Sequence, residues 1–350
     1  MSATNERAAT GGYDGDYEVV VVGGGAAGLS AALVLGRARR RVAVVDAGAP
    51  RNAPAARMHG FLSRDGMPPA ALLATGRAEA AAYGVALFDG LVDEITARDG
   101  GSGTSGDGAR GEGSGGTWGE GSGGFVVRLA GGAALTARRV LVATGLRDEL
   151  PALPGVRERW GRDVLHCPYC HGYEVRDAPL GVLGTRPMAV HQALMVRQWS
   201  PDVVLFAHDL VLTADERERL TARGIQIEEG AVRRLAVADD RLTGVELADG
   251  RVVERTAVFV PPLMVPADGP LAGLGCARDE ATGAVATDPA GRTSVPGVWA
   301  VGNVTDARAQ VVVAAGAASV AAMDINHDLI TADTDRAVAA LRTASATTGA

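Results

Sequence analysis

The sequence has few aromatic residues and lacks a long apolar run. Phe, Trp and Tyr make up 4% of the 350 residues, so the cores of the protein must be built from Ala, Val and Leu. No apolar stretch reaches the length of about 20 residues that a transmembrane helix needs. Residues 1–16 are polar and acidic, without a basic segment followed by an apolar one, and predict a disordered N-terminus rather than a signal peptide. We therefore expect a cytoplasmic protein without a membrane partner.

Acidic residues outnumber basic residues by 41 to 34. The formal net charge is −7, and the sequence has no basic run. This balance argues against nucleic acid and against an anionic membrane surface as partners, and leaves small molecules and other proteins. At 350 residues the chain is long enough for two domains with sizeable cores.

Cysteine occurs three times, and two of the three form the motif Cys167-Pro168-Tyr169-Cys170. Two cysteines separated by two residues can close a disulfide across the first turn of a helix, where the helix dipole stabilises a thiolate. Such a pair is typical of a redox site. A disulfide in a reducing compartment is catalytic rather than structural.

Other interpretations of this cysteine pair exist. A closed zinc site needs four ligands, and the remaining cysteine is the isolated Cys276, so zinc would have to recruit histidines without a recognisable spacing. Two buried structural thiols are the other alternative. We favour the redox disulfide and predict no metal site.

Histidines flank the pair on both sides. His171 follows Cys170 directly, which favours a base that takes protons from incoming thiols, although a surface or helix-capping role is the alternative. His166 is placed similarly on the other side, and the sequence assigns it no definite role.

A dinucleotide-binding fingerprint begins the folded part of the chain. An apolar strand leads into Gly23-Gly24-Gly25-Ala26-Ala27-Gly28, a helix follows, and a second strand ends at Asp46. In such a βαβ unit Gly23 makes the tight turn, Gly25 lets the backbone approach a pyrophosphate, and Gly28 lets the helix pack closely on the strand. The helix N-terminus faces the phosphates, and Asp46 can bind ribose hydroxyls.

A second βαβ unit begins at Leu180, with a strand at 203–206 after its helix. Its turn aligns with the fingerprint through Gly184, Arg186 and Ala189, so an arginine occupies the position of the middle glycine. No arginine after the second strand could hold a 2′-phosphate, whereas Asp209 could accept a ribose hydroxyl. The scaffold of a nicotinamide domain is present, and its phosphate cradle is damaged.

Composition shifts divide the chain. A segment that is about half glycine cannot bury enough apolar surface to fold and predicts a disordered insertion at the tip of a hairpin. A helix from Gln310 to Leu329 is expected, with fraying beyond Thr331. The predicted organisation is a disordered terminus at 1–16, a dinucleotide-binding segment at 17–151 with the insertion at 100–124, a central cysteine-bearing domain at 152–262, a further segment at 263–330, and a flexible tail at 331–350.

Together these motifs resemble the low-molecular-weight thioredoxin reductases of the pyridine nucleotide-disulfide oxidoreductase family, over about residues 16–330. The further matches are Ala143-Thr144-Gly145 and Gly302-Asn303 followed by Ala309-Gln310-Val311. The resemblance implies an α/β fold with two Rossmann-like, doubly wound three-layer domains, FAD in the discontinuous first domain, and a homodimer. It implies cofactor contacts from Gly23, Gly25, Ala26, Ala27, Gly28, Asp46, Ala47, Arg51, Asn52, His59, Ala143, Thr144, Gly145, Gly302, Asn303, Ala309, Gln310 and Val311.

Three departures from the reductases favour one branch of this family. His171 stands where reductases have an aspartate, Arg186 breaks the nicotinamide fingerprint, and the basic cluster for a 2′-phosphate is missing. The motif Cys-Pro-Tyr-Cys-His-Gly-Tyr-Glu is most similar to the dithiol oxidases that close disulfides in natural products of the gliotoxin, holomycin and romidepsin type.

That resemblance implies catalytic roles for three residues. Cys170 would lie against the flavin C4a, Cys167 would exchange with a small dithiol substrate, and His171 would act as base. Dioxygen would be the electron acceptor and hydrogen peroxide the product. The alternatives are a disulfide reductase fed by NADH or a ferredoxin, and a flavoprotein redox sensor without catalytic output.

Overall fold

The computed structural model describes residues 16–98 and 123–348, which fold into two compact units. The first unit contains the described residues up to Pro50, those from Leu72 to Leu146, and those from Pro266 onward. The second unit contains Arg51–Ala71 and Arg147–Val265. The predicted boundaries at 151/152 and 262/263 lie a few residues away, and the segment Arg51–Ala71 belongs to the second unit rather than to the predicted FAD domain. Residues 1–15 and nearly all of the predicted glycine-rich insertion lie outside the described residues.

The strands follow in chain order: β1 (Asp16–Val22), β2 (Val42–Asp46), β3 (Ala86–Asp89), β4 (Val92–Arg98), β5 (Gly124–Leu129), β6 (Ala134–Val142), β7 (Leu146–Glu149), β8 (Val164–Leu165), β9 (Leu180–Leu183), β10 (Val203–Phe206), β11 (Gln226–Glu228), β12 (Val232–Ala238), β13 (Arg241–Leu247), β14 (Val252–Glu254), β15 (Ala257–Phe259), β16 (Leu263–Pro266) and β17 (Val298–Ala300). The helices are α1 (Ala26–Arg37), α2 (Pro69–Ala82), α3 (Val156–Arg159), α4 (Pro168–His171), α5 (Met188–Val196), α6 (Ala214–Ala222), α7 (Gly269–Gly273) and α8 (Val311–Thr348).

The first unit is built on a seven-stranded sheet. Its order is β3-β2-β1-β6-β5-β4, and β17 pairs with the second half of β6. The strands from β3 to β6 and β17 are parallel, whereas β4, β5 and β6 form an antiparallel meander. Arg98 pairs with Gly124, so the strands on both sides of the glycine-rich segment form the predicted hairpin. Parallel strands with helical crossovers are the Rossmann pattern.

Both faces of the central strand β1 are buried. Val19 and Val21 pack with α1 and α8 in one core, and Val20 and Val22 pack with the β4-β5-β6 meander in a second core. A strand that is covered on both faces needs a continuous apolar run rather than alternation, and Val19-Val20-Val21-Val22 provides one.

The second unit repeats this plan. Its main sheet has five strands, all parallel, in the order β11-β10-β9-β15-β8. One face packs against α5 and α6, and the other packs against the antiparallel sheet β12-β13-β14. The predicted fold class, α/β with parallel-sheet Rossmann-type domains, is confirmed. In both units the third layer consists of antiparallel strands.

Helix α8 is longer than predicted. We expected the helix to end near Leu329 and the chain beyond Thr331 to fray, but the helix continues to Thr348. Residues 331–348 are rich in alanine, which has the highest helix propensity, so the sequence favours continuation.

An ion cluster of Glu18, Arg40, Arg138 and Asp333 fastens this extension to the first unit. Asp333 lies 3.1 Å from Arg40 and 2.6 Å from Arg138, and Glu18 lies 2.7 Å from Arg40. Burial opposes ionisation of Asp333, but hydrogen bonds from Arg138 and Arg40 lower its pKa to about 2. The Arg40–Asp333 contact joins residues 293 positions apart in the sequence, so local composition could not indicate it.

Candidate active site

The glycine turn between β1 and α1 has the geometry that its sequence predicts. Gly23 has φ +107°, and a Cβ there would lie 2.4 Å from the Ala143 carbonyl oxygen. A Cβ on Gly28 would lie 1.8 Å from the Gly23 carbonyl oxygen, so the helix packs directly on the turn. Among the described residues, no atom lies within 4 Å of a Cβ built on Gly25, and no side chain caps α1 at this N-terminal residue. The first N–H groups of the helix therefore face an open, uncapped space.

Asp46 lies beside this turn at the end of β2. One carboxylate oxygen accepts a hydrogen bond of 3.0 Å from the Gly24 N–H, and the other lies 3.5 Å from Arg77. The hydrogen bond from Gly24 to Asp46 thus fixes the glycine loop. Ala47 follows Asp46 directly in the sequence. Nothing in the sequence indicated Arg77 as its neighbour.

The C-terminal part of the first unit completes the same edge of the sheet. Gly302, with φ +78°, follows β17, and its Cβ would lie 3.2 Å from the Ala27 Cβ. Asn303 donates hydrogen bonds of 2.9 Å to the carbonyl oxygens of Asp306 and Ala309, and so holds the loop that leads to Gln310 and α8.

Ala143, Thr144 and Gly145 follow β6 at this same edge. The Thr144 hydroxyl donates a 2.7 Å hydrogen bond to the Ala267 carbonyl oxygen, and Gly145 has φ +71°. The strand order reverses between β1 and β6, and the carboxyl ends of strands at such a switch point are where ligands bind in open α/β sheets.

Three predicted cofactor residues, Arg51, Asn52 and His59, belong to the second unit. Arg51 forms a two-pronged ion pair with Asp148, with both contacts at 2.8 Å. His59 lies between the carboxylates of Asp65 and Glu174. The structure therefore groups these residues with the cysteine-bearing unit, and their contact with FAD stays a prediction.

The cysteine pair begins where β8 ends. Cys167 and Cys170 form a disulfide with their Cα atoms 5.2 Å apart, and both are half-buried. Cys167 is the N-terminal cap of α4, with Pro168 at the first helical position. The N–H groups of Cys170 and His171 both donate to the Cys167 carbonyl oxygen at 3.1 Å. Because α4 is a single turn of four residues, its dipole contributes less to thiolate stability than the sequence argument assumed.

Two residues outside the motif hold it in place. Gln192 of α5 is buried, and its side-chain amide donates a 2.6 Å hydrogen bond to the carbonyl oxygen of His166, directly before Cys167. The ring of Trp199 lies against Gly172, where a Cβ would come within 2.8 Å, and packs edge-on against Tyr169. Sequence reasoning missed both, because neither has a spacing that points to the cysteines.

The two flanking histidines are both shifted toward the neutral form. Burial lowers the pKa of His171, Glu174 opposes this, and His59 lowers it further. Burial and the Arg51 guanidinium lower the pKa of His166, against smaller opposing effects of Asp148 and the Val260 backbone. A neutral imidazole can accept a proton, so His171 meets the first requirement for a base beside the disulfide.

The second glycine turn, between β9 and α5, differs at its centre. A Cβ on Gly184 would lie 2.4 Å from the Ala207 carbonyl oxygen, so this position keeps the tight turn. Arg186 is exposed, and Pro187, which has no N–H, caps α5. Asp209 lies 3.1 Å from the His208 ring and is exposed.

Several features lie away from these sites. Cys276 is a buried free thiol in the first unit, and burial raises its pKa. Within residues 16–98 and 123–348, no group of three or more His, Cys, Asp or Glu residues is arranged to hold a metal ion. In the same ranges no helix combines the length and apolar character needed to cross a membrane.

Comparison with known proteins identifies the family. The model of the pyridine nucleotide-disulphide oxidoreductase family matches residues 17–319. The chain therefore belongs to this family, and the predicted resemblance is confirmed. Proteins of this family are FAD-binding flavoproteins, and FAD is the cofactor of this chain.

Individual relatives cover nearly the whole chain. The chain is 58% identical to HlmI, whose crystal structure superposes with a TM-score of 0.86 over 95% of this chain and 98% of that one. An oxidoreductase from Agrobacterium tumefaciens is 34% identical, with a TM-score of 0.78 over 91% and 99%. Thioredoxin reductase sirT of Leptosphaeria maculans is 29% identical over 331 residues, which are 91% of this chain and 95% of the relative.

Proposed function

We propose that this protein is an FAD-dependent dithiol oxidase that closes a disulfide in a small-molecule dithiol, with dioxygen as electron acceptor. The observation that carries the proposal is the half-buried Cys167–Cys170 disulfide followed directly by His171, whose pKa is lowered by burial. This arrangement provides an electrophilic sulfur and a proton acceptor within one turn of chain.

The first unit has the residues to hold FAD. The open space at Gly25 and the uncapped N-terminus of α1 suit a pyrophosphate, and Asp46 has a second oxygen near the turn for a ribose hydroxyl. The N-terminus of α8, capped by Gln310, would stabilise negative charge on a reduced flavin. When bound, FAD would accept two electrons from the reduced cysteine pair and pass them to dioxygen, which with two protons becomes hydrogen peroxide.

The thiol chemistry takes place on the cysteine pair. A substrate thiolate attacks Sγ of Cys167, a substrate–Cys167 disulfide forms, and the bond to Cys170 breaks, leaving Cys170 as a thiolate. The second substrate thiolate then attacks the first substrate sulfur, which closes the substrate disulfide and releases Cys167. The substrate has lost two electrons and two protons, and the cysteine pair has gained the two electrons.

His171 is the proposed base for this exchange. A thiol with a reference pKa of about 8.5 is mostly protonated at neutral pH, and only the thiolate attacks. His171 would take the proton from the incoming thiol, so that exchange proceeds at neutral pH.

The substrate class is proposed to be a small natural-product dithiol. Tyr169 and Tyr173 beside the disulfide are 68% and 65% exposed, which offers aromatic surface to a compact ligand. The likeness to HlmI and the Cys-Pro-Tyr-Cys-His-Gly-Tyr-Glu motif support this substrate class. The proposed compartment is the reducing cytoplasm, where such a disulfide serves catalysis.

A homodimer is proposed from an apolar stripe on α8. Five exposed apolar side chains fall on the a and d positions of one heptad frame: Val313, Val320, Met323, Ile330 and Leu341. The opposite face is buried in the core of the first unit through residues such as Ala318, Ile325 and Leu329.

Light scattering should give twice the chain mass for the wild-type protein. Met323→Glu with Ile330→Glu should give a monomer. A monomeric wild-type protein would contradict the proposed dimer.

The second candidate is a disulfide reductase. The names of curated relatives such as thioredoxin reductase sirT and the intact β9-α5-β10 scaffold favour it. Against a nicotinamide-fed version, Arg186 occupies the position of the middle glycine and Pro187 removes one N–H donor for the phosphates.

Anaerobic stopped-flow mixing separates the two candidates. We expect dithiothreitol to bleach the flavin and air to restore the colour with release of peroxide, while NADPH and NADH leave the flavin oxidised. Rapid bleaching by either nicotinamide, followed by reduction of a disulfide, would establish the reductase instead.

The roles of the two cysteines are tested separately. Cys167→Ser should keep a thiolate-flavin charge-transfer band from Cys170. A band found only in Cys170→Ser would reverse the two cysteine roles.

A further inference from the structure

A chain of acidic and imidazole groups in the second unit ends at Glu174, three residues after His171. The Nε2 atom of His59 lies 3.4 Å from the Glu174 carboxylate, and its Nδ1 atom lies 3.3 Å from Asp65. Asp65 is itself fixed by a 2.9 Å hydrogen bond from the Gly60 N–H. Glu174 follows His171 by three residues, and its charge acts on the His171 imidazole.

His59 is well placed to fix Glu174. Its side chain is only 18% exposed, whereas the side chain of Glu174 is 42% exposed and would otherwise sample solvent. The loop Met58–Met67 that carries His59 is closed by backbone hydrogen bonds between Met58 and both Gly66 and Met67, at 2.9 Å each. An ordered imidazole on a closed loop therefore restricts the position of the carboxylate.

The charge of Glu174 matters at the moment of proton transfer. When His171 takes a proton from a substrate thiol, the S–H bond breaks, an N–H bond forms and the imidazole becomes a cation. Burial lowers the pKa of His171 and so disfavours that cation, whereas the charge of Glu174 raises the pKa and favours it. His59 is the other titratable group whose charge acts on His171.

We propose that Glu174 is a positioning residue that stabilises the protonated form of His171, and that His59, held by Asp65, keeps the Glu174 carboxylate in place. This inference rests on the proposed function, because it assigns His171 its proton-accepting role. It makes the pair His59 and Glu174, 115 residues apart in the sequence, one unit with His171.

The first test is an NMR titration of the His171 imidazole in FAD-loaded, disulfide-containing protein. Glu174→Gln should lower the pKa of His171, because the anion that favours the imidazolium is gone. The exposed Glu218→Gln on α6 should leave the titration unchanged. An unaltered His171 titration in Glu174→Gln would overturn the inference.

The second test isolates the hydrogen bond of His59. His59→Gln and His59→Leu both remove the imidazole, but only Gln keeps a donor for Glu174. The pKa of His171 should be lower in His59→Leu than in His59→Gln, and this difference should vanish when Glu174→Gln is also present. A difference that persists without Glu174 would show that His59 acts independently of it.

Kinetics provide the third test. With dithiothreitol and oxygen, Glu174→Gln should oxidise the dithiol on the order of tenfold more slowly, with the acidic limb of kcat/KM moved to lower pH. A wild-type protein that fails to oxidise dithiothreitol would sink the proposed function, while the NMR titrations would still decide this inference. An active wild type with identical pH profiles in both proteins would overturn the inference alone.

Discussion

The two glycine turns of this protein share a scaffold and differ in what they offer a ligand. In the first unit, Gly25 leaves open space before α1, and the turn presents only backbone. In the second unit, the same place carries the exposed side chain of Arg186 and the ring of Pro187. Both turns keep the tight first glycine, since a Cβ on Gly23 or Gly184 would lie 2.4 Å from a backbone oxygen.

This difference between the turns shows that two glycines of the fingerprint meet different requirements, one of the fold and one of the ligand. The first glycine serves the fold, because strand and turn cannot close around a Cβ. The middle glycine serves the ligand, because no atom in the part of the chain that the structure describes lies within 4 Å of a Cβ built on Gly25. A βαβ unit can therefore lose its cofactor site and keep its structure, as we infer for the second unit.

The largest expected effect is at Gly28, the third glycine of the fingerprint in the first unit. Gly28→Ala places a Cβ 1.8 Å from a backbone oxygen that cannot move away cheaply, so we expect a loss of about 3 kcal/mol or more and a colourless protein without FAD. The matched change Ala189→Gly in the second unit should cost only about 1 kcal/mol and keep the flavin. Denaturant unfolding and flavin absorbance measure both; a yellow Gly28→Ala protein of wild-type stability would refute the packing argument.

The cysteine pair and His171 both belong to the second unit, where we propose that His171 acts as the base. His171→Ala should slow dithiol oxidation by roughly two orders of magnitude, because the half-buried base beside the disulfide is lost. His191→Ala, on the exposed side of α5 in the same unit, is the control and should keep the wild-type rate. Less than a threefold loss in His171→Ala, at full flavin content, would assign His171 a structural role.

Changing the second turn toward the fingerprint pattern tests whether this turn limits nicotinamide binding. Arg186→Gly with Pro187→Ala restores both the open space and the missing N–H donor, so flavin reduction by NADH should become roughly tenfold faster than in the wild type. Arg186→Lys keeps a long cationic side chain and should show no gain. Equal rates in the repaired and wild-type proteins would mean that this turn does not limit nicotinamide access.

The smallest expected effect is on stability at mildly acidic pH. Burial lowers the folded-state pKa of His171, so the unfolded chain binds a proton more readily. The stability contribution of the neutral imidazole is present above the unfolded pKa of about 6.5 and is lost as pH falls from there through the folded pKa. The melting temperature of His171→Asn should therefore fall less between pH 7.5 and pH 5.5 than that of the wild type; an equal or larger fall would contradict the shift.

Much of the fold follows from local sequence. The run Val19-Val20-Val21-Val22, the glycines after it and Asp46 lie within one βαβ unit, where short-range sterics fix the conformation. The cysteine motif is local in the same sense, since its disulfide closes across a single turn. The predicted end of α8 was wrong because the alanine-rich residues 331–348 favour continuation of the helix, and because Asp333 has ion partners in β6 and after α1 that the local sequence does not indicate.

The residues around the cysteines could not be predicted, because they come from distant parts of the sequence. Gln192 reaches the His166 carbonyl from another helix, and His59 meets Glu174 from a separate chain segment. Such contacts depend on how elements pack, and the sequence around each residue has no periodic pattern that indicates them. The segment Arg51–Ala71 shows this most clearly, since it follows the FAD fingerprint in sequence and belongs to the other unit.

The discontinuity of the first unit has a consequence for how the protein is made. The second unit needs only residues up to Val265, whereas the first unit needs β17 and the part of α8 that packs on α1, up to about Leu329. At about 5–20 residues per second, translation of that remaining stretch takes roughly 3–13 s, during which the second unit can fold on the ribosome. The dinucleotide turn is translated before the second unit, but its unit is completed after it, so we expect FAD to bind a chain whose disulfide-bearing unit has already folded.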